Sequence, residues 1–175
     1  MKKIILFIAL ISIKSHLIGQ KNLFVNGTRI YLVRHAEKGT GNDPVLTGTG
    51  NKRAGDLMHT LKAKKISHIY VTGYRRSELT ADSMRLQLRI DTVHYDAADT
   101  TGADLIAKIK ANHDFGKAIL VIGHSNTIPQ LIKDLGVKNY KPGNIPDNEF
   151  DNLYLIEYKG NKTYLSHQKY GKLNL

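Results

Sequence analysis

Five apolar residues in unbroken succession, Ala118-Ile-Leu-Val-Ile122, constrain this chain more than any other segment. A strand with one wet face alternates polar and apolar side chains. A continuous run is what a strand buried on both faces requires, and such strands belong to parallel sheets covered by helices on either side.

The segments around that run keep to the same scheme. Arg29–Val33, His68–Val71 and Ile90–Tyr95 read as further strands. Between them lie helical stripes. Ala54, Leu57, Met58 and Leu61 recur at i, i+3, i+4 and i+7, Ala81, Met84 and Leu88 share one face, and so do Leu105, Ile106 and Ile109. Ile128, Leu131, Ile132 and Leu135 repeat the stripe after the apolar run. Two alternating segments, Leu153–Tyr158 and Thr163–His167, close the chain as half-exposed edge strands. The expectation is an α/β three-layer sandwich, a mainly parallel, doubly wound sheet with helices on both faces, built from right-handed βαβ units. With 175 residues the chain suits one such domain, placed over residues 20–175.

The first nineteen residues stand apart. Met1-Lys2-Lys3 is a short positive start, and Ile4–Ile13 is an apolar run of signal-peptide length, short for a bilayer span. Gly19-Gln20 is a candidate cleavage point, so residues 1–19 are expected to be a signal peptide. The protein is then exported, periplasmic or secreted, with no stable membrane insertion after cleavage. No cysteine is present, which excludes disulfides, thiolate metal sites and a lipoprotein anchor. The net charge of +11 suits anionic partners. Lysines such as Lys62, Lys64, Lys65, Lys108, Lys110 and Lys117 are scattered over helix faces and ends, which favours a solvated surface over a nucleic-acid groove.

Ligands of open α/β sheets bind beyond the carboxyl ends of the strands. Arg34-His35, Arg75-Arg76, Asp96 and His124 each follow a predicted strand, so two histidines, at least two arginines and a carboxylate converge on one rim. That set suits phosphoryl transfer without a metal or other cofactor. Guanidinium forks hold the charged outer oxygens. A neutral imidazole attacks in line, and a second donates a hydrogen bond. A carboxylic acid protonates the departing oxygen. No His-x-x-x-His pair or carboxylate cluster at ligand spacing points to a metal.

Four segments also resemble one family. Arg34-His35-Ala36-Glu37 resembles the Arg-His-Gly/Ala-Glu signature of the histidine phosphatase superfamily, and Leu46-Thr-Gly-Thr-Gly50 its Leu-Ser/Thr-x-x-Gly turn. Arg76-Ser-Glu-Leu-Thr-Ala81 is similar to its Arg-Ala-x-x-Thr-Ala segment, with Ser77 in place of the usual alanine, and Gly123-His124-Ser125 to its Gly-His-Ser/Gly motif. Order and spacing agree from about Ile30 to Leu135. The resemblance, to the small phosphoglycerate mutase-like branch, implies a nucleophilic His35 that becomes phosphohistidine, with Arg34, Arg76 and His124 completing the phosphate pocket.

The general acid is the departure from the pattern. The Glu-Arg-x-x-Gly stretch of mutase-type members is absent. Asp96 is the first choice in its place, with Asp99, Glu149 and Asp151 as rivals, or no acid at all for a good leaving group such as a phosphoramidate. Lys38, Ser125, Asn126, Asp99 and Glu149 are candidate substrate contacts. Ser125, Asn126 and Thr47 are also helix-capping types. The function expected is an exported, metal-independent phosphatase. The alternatives are a phosphoglycerate mutase-like phosphotransferase and a non-catalytic phosphate or polyanion-binding module. Short inter-strand segments predict an open, shallow pocket for a small phosphorylated substrate or a phosphorylated envelope component, with Lys141–Asp151 as a flap.

Overall fold

The computed structural model describes residues 24–141 and 143–172; the expected signal peptide, residues 1–19, lies outside them. Six strands form one sheet: β1 (Arg29–Arg34), β2 (Ile66–Thr72), β3 (Thr92–Tyr95), β4 (Ala118–Gly123), β5 (Asn152–Lys159) and β6 (Lys162–Lys169). Their spatial order is β3-β2-β4-β1-β5-β6. The first four are parallel, β5 runs antiparallel to β1, and β6 antiparallel to β5. Helices α1 (Gly48–Leu61), α2 (Arg75–Leu88), α3 (Ala103–Ala111) and α4 (Thr127–Asp134) connect or follow the parallel strands.

The unbroken apolar run is β4, between β1 and β2. Ala118, Leu120 and Ile122 face a core shared with Leu57, Met58 and Leu61 of α1 and Ala81 and Met84 of α2. Ile119 and Val121 face the opposite core, with Leu105 and Ile109 of α3 and Ile128, Leu131 and Ile132 of α4. Both faces of β4 are dry, which is why every position on it is apolar or glycine. Each fully buried aliphatic residue here contributes roughly 1.5–3 kcal/mol relative to exposure.

One strand differs from the sequence expectation. β5 is not an edge strand: it pairs with β1 on one side and β6 on the other, and only β6 alternates against solvent. Arg75 and Arg76, which follow β2, form the first turn of α2.

The topology places a crevice where the connections diverge. β1 and β4 are parallel neighbours, yet α1 leaves β1 toward one face and α4 leaves β4 toward the other. Their carboxyl ends are therefore left uncovered between two departing helices, the usual location of a ligand in an open α/β sheet.

Candidate active site

Each motif residue is fixed by a local bond that explains its neighbours. The His35 amide donates to the Gly123 carbonyl at 2.9 Å, locking the end of β1 to the end of β4. The Ala36 amide donates to Thr80 Oγ1 at 2.9 Å, and that hydroxyl donates to the Arg76 carbonyl at 2.7 Å. Thr80 thus couples the turn after β1 to the start of α2. Thr47 caps α1, its hydroxyl accepting from the Gly50 amide at 3.1 Å. Gly50 presses against the Glu37 carbonyl so closely that a Cβ would overlap it. Glu37 pairs with Arg53 at 2.7 Å, so its charge is neutralised away from the crevice. Neither Ser125 nor Asn126 caps α4 through its side chain; Thr127 Oγ1 instead accepts from the His124 amide at 2.9 Å.

The crevice is a cleft of about 340 Å³ lined by Arg34, His35, Lys38, Tyr74, Arg76, Ala97, His124, Ser125, Asn126, Thr127 and Asp147. Six of the expected residues meet there besides His35: Arg34, Arg76, His124, Lys38, Ser125 and Asn126. The imidazoles of His35 and His124 lie edge to face, 5.4 Å apart. His35 Nδ1 is 2.8 Å from the Ala36 carbonyl, which can only accept, so the proton sits on Nδ1 and Nε2 carries the free lone pair. Burial pushes His35 down to about 3, the neighbouring His124, Arg76 and Arg34 adding to it against the weaker pull of the Ala36 bond. Burial likewise lowers His124 to about 4, aided by Arg76 and Arg34. Both rings are neutral at pH 7.

The arginines are held by different means. Arg34 Nη1 donates to the carbonyls of Pro146, Asp147 and Glu149 at 2.9, 3.1 and 3.2 Å, pinning residues 146–149 over the end of β1. Its guanidinium stacks on Phe150 at 4.1 Å. Arg76 stacks on Tyr74 at 4.1 Å and lies 3.6 Å from Asp43. The Nε of each arginine is buried with no hydrogen-bond partner among the described residues.

The carboxylates expected near the leaving group are not brought together with this set. Asp96 is exposed, lines a neighbouring groove with Tyr74, His94 and Lys108, and accepts from the Ala98 amide in a tight turn. Asp99 accepts from Thr101 and from the Asp104 amide at the start of α3. Glu149 is bound by Asn152 and Lys169, which hold it below the usual carboxylate range. Asp151 is buried against Lys169. Sequence reasoning missed Asp147, whose carboxylate stands in solvent 3.8 Å from Arg34. It also missed Tyr74, Phe150 and Thr72. Only the flap expectation for 141–151 pointed toward Asp147 and Phe150. Among the described residues no group of three or more His, Asp or Glu is placed to hold a metal ion. No described helix is long and apolar enough to cross a membrane.

No family model and no curated protein matches the chain. Solved structures do. The protein histidine phosphatase SixA, complexed with tungstate, superposes with a TM-score of 0.60 over 81% of this chain and 96% of its own, at 15% identity. Phosphoglycerate mutase from Bacillus anthracis gives 0.60 over 82% and 93%, at 18% identity. The chain has the histidine phosphatase fold. A phosphoserine phosphatase from Entamoeba histolytica, in complex with 3-phosphoglyceric acid, shares the fold at a TM-score of 0.56 and 14% identity, over 83% of this chain and 97% of its own. The chain spans 96%, 93% and 97% of the three.

Proposed function

We propose that the chain is a phosphatase that hydrolyses phosphate monoesters or phosphoramidates through a covalent phosphohistidine on His35. The observation that carries this reading is the state of His35: a buried, neutral imidazole whose Nδ1–H is tied to Ala36, leaving Nε2 as the nucleophilic atom beside two guanidinium groups. The Nε donors of Arg34 and Arg76, partnerless among the described residues, would be satisfied by phosphoryl oxygens, where negative charge is spread in the transition state. Charge stabilisation then comes from Arg34, Arg76 and His124, and no metal is required. SixA, with the same fold, is complexed with tungstate, an oxyanion of the shape this cleft would hold.

The open cleft suits a small phosphorylated substrate or an exposed phosphoryl group on an envelope component. We propose export on the strength of residues 1–19, which N-terminal sequencing of the mature protein would check. A second reading, a phosphate-binding module without turnover, draws on one observation: the cleft-lining carboxylate, Asp147, is fully exposed and faces Arg34 at 3.8 Å.

A phosphoester and phosphoramidate panel, run with and without chelator, tests the proposal. Turnover should survive chelation, fall with vanadate, and drop at least a hundredfold in His35→Ala, about the least that loss of a covalent nucleophile costs. Retention of more than about a hundredth of the rate in His35→Ala would contradict it. Tight phosphate binding without turnover would favour the binding module.

A further inference from the structure

The cleft holds a nucleophile and a charge clamp, while Asp96, Asp99, Glu149 and Asp151 are all engaged elsewhere and Asp147, at the rim, stands in solvent facing Arg34. A departing oxygen still needs a proton. Behind His124 lies a pair of buried hydroxyls that the phosphatase reading does not use. His124 Nε2 is 3.0 Å from Thr72 Oγ1, and Thr72 Oγ1 donates its own proton to Ser77 Oγ at 2.8 Å. Thr72 and Ser77 are both fully buried.

Arg76 decides the tautomer. A guanidinium can only donate, and Arg76 Nη2 lies 3.5 Å from His124 Nδ1, so Nδ1 accepts and the imidazole proton resides on Nε2. Nε2 then donates to Thr72, whose own proton turns to Ser77. Ser77 stands where the family pattern has alanine. An alanine there would free the Thr72 proton to turn toward Nε2 and would favour the opposite tautomer.

We propose that His124, fixed by Thr72 and Ser77, is the proton carrier of this cleft, the group that protonates the departing oxygen. Thr72 and Ser77 are positioning residues; His124 touches the phosphoryl group. This inference rests on the phosphatase reading above. The groups facing His124 are His35 and Arg34 from the end of β1, Tyr74 and Arg76 from the β2–α2 turn, and Lys38 and Asp147 across the cleft.

The steps balance. A monoester monoanion, R–O–PO3H−, enters and passes its proton to His124 Nδ1, leaving a dianion against an imidazolium. His35 Nε2 gives its lone pair to phosphorus as the P–O bond to R breaks with its electron pair. The Nδ1 proton moves onto that oxygen and ROH leaves. In the second half a water oxygen attacks phosphorus while Nδ1 accepts one of its protons. The P–N bond breaks with its pair returned to Nε2, and Nδ1 hands the proton to phosphate as it departs.

Two measurements on the whole protein test this. In 15N-histidine spectra, with His124 identified through His124→Gln, Nε2 should be protonated and Nδ1 bare in the free protein. Ser77→Ala should move the proton toward Nδ1. In kinetics, Thr72→Val should lower kcat on ethyl phosphate, a poor leaving group, by about a hundredfold, but on p-nitrophenyl phosphate by about threefold. KM should change little, and Thr72→Ser should restore most of the rate. A protonated Nδ1 in the free wild type, or equal losses on both esters, would overturn the inference while leaving the phosphatase reading intact. Failure of the wild type to hydrolyse either ester, although orthovanadate shifts the His35 and His124 signals, would overturn both.

Discussion

The two ends of this sheet each bury charged and titratable groups, and they treat them in opposite ways. At the amino end of β2 and β4, Asp114 is completely buried and saturated. Tyr70 donates to it at 2.7 Å, Ser67 at 2.9 Å and His68 at 2.8 Å, with Lys117 at 3.4 Å. Burial alone would raise its pKa, but those bonds outweigh burial and hold it below the usual range. At the carboxyl end, Arg34, Arg76, His35 and His124 crowd together with no buried anion among them. Two guanidinium Nε atoms go unpaired among the described residues, and both imidazoles are kept neutral by burial and by the cations beside them. A buried charge with its partners in place makes the fold depend on each of them, because removing one leaves the rest uncompensated. A buried cationic cluster lacking its counter-charge holds a place for a ligand.

That contrast has consequences for stability against pH. His35 and His124 titrate near 3 and 4 in the folded protein and near 6.5 unfolded. Between those values the unfolded chain binds more protons, so stability contributed by the rim is present above pH 6.5 and falls with pH. Each histidine should cost on the order of 1.4 kcal/mol per pH unit in that window. Asp114, with its lowered value, should matter only below the ordinary carboxylate range. Chemical denaturation from pH 7 to 4 should show the steep loss, and His35→Gln with His124→Gln should flatten it. A slope unchanged in the double variant would place the titration elsewhere.

Substitution should separate the two ends further. Asp114→Ala strands the Tyr70 hydroxyl and should lower unfolding free energy by about 3 kcal/mol, with kcat of the folded fraction within about twofold of wild type. A smaller expected effect is that of Arg76→Gln, which should weaken phosphate binding about tenfold or more, near 1.4 kcal/mol, while leaving the melting temperature level or higher. Calorimetry on both variants checks the pair; equal stability losses would erase the distinction.

The features legible in the sequence were those whose reason is local. The β4 run announced a strand dry on both faces, and Arg34, His35, Arg76 and His124 could be read because each lies at or just beyond the carboxyl end of a parallel strand. Thr47 as a cap needed only its neighbours. What could not be read depends on contacts across the chain. Phe150 lies under Arg34, 116 positions away, only because β5 returns beside β1. Thr72 reaches His124 only because β2 and β4 are adjacent. The position of Asp96 has the same kind of cause: it follows a strand as expected, but the turn with Ala98 and the hydrogen bond from its amide to Asp104 place it in the neighbouring groove.

A covalent bond between phosphorus and His35 Nε2 can be caught by acid-free rapid quench of the protein turning over an aryl phosphate, followed by peptide mass spectrometry. Phosphate should appear on the peptide carrying His35, be lost on brief acid treatment and be absent from His35→Ala. Phosphate on another residue, or full turnover with no protein-bound phosphate at any time point, would contradict it.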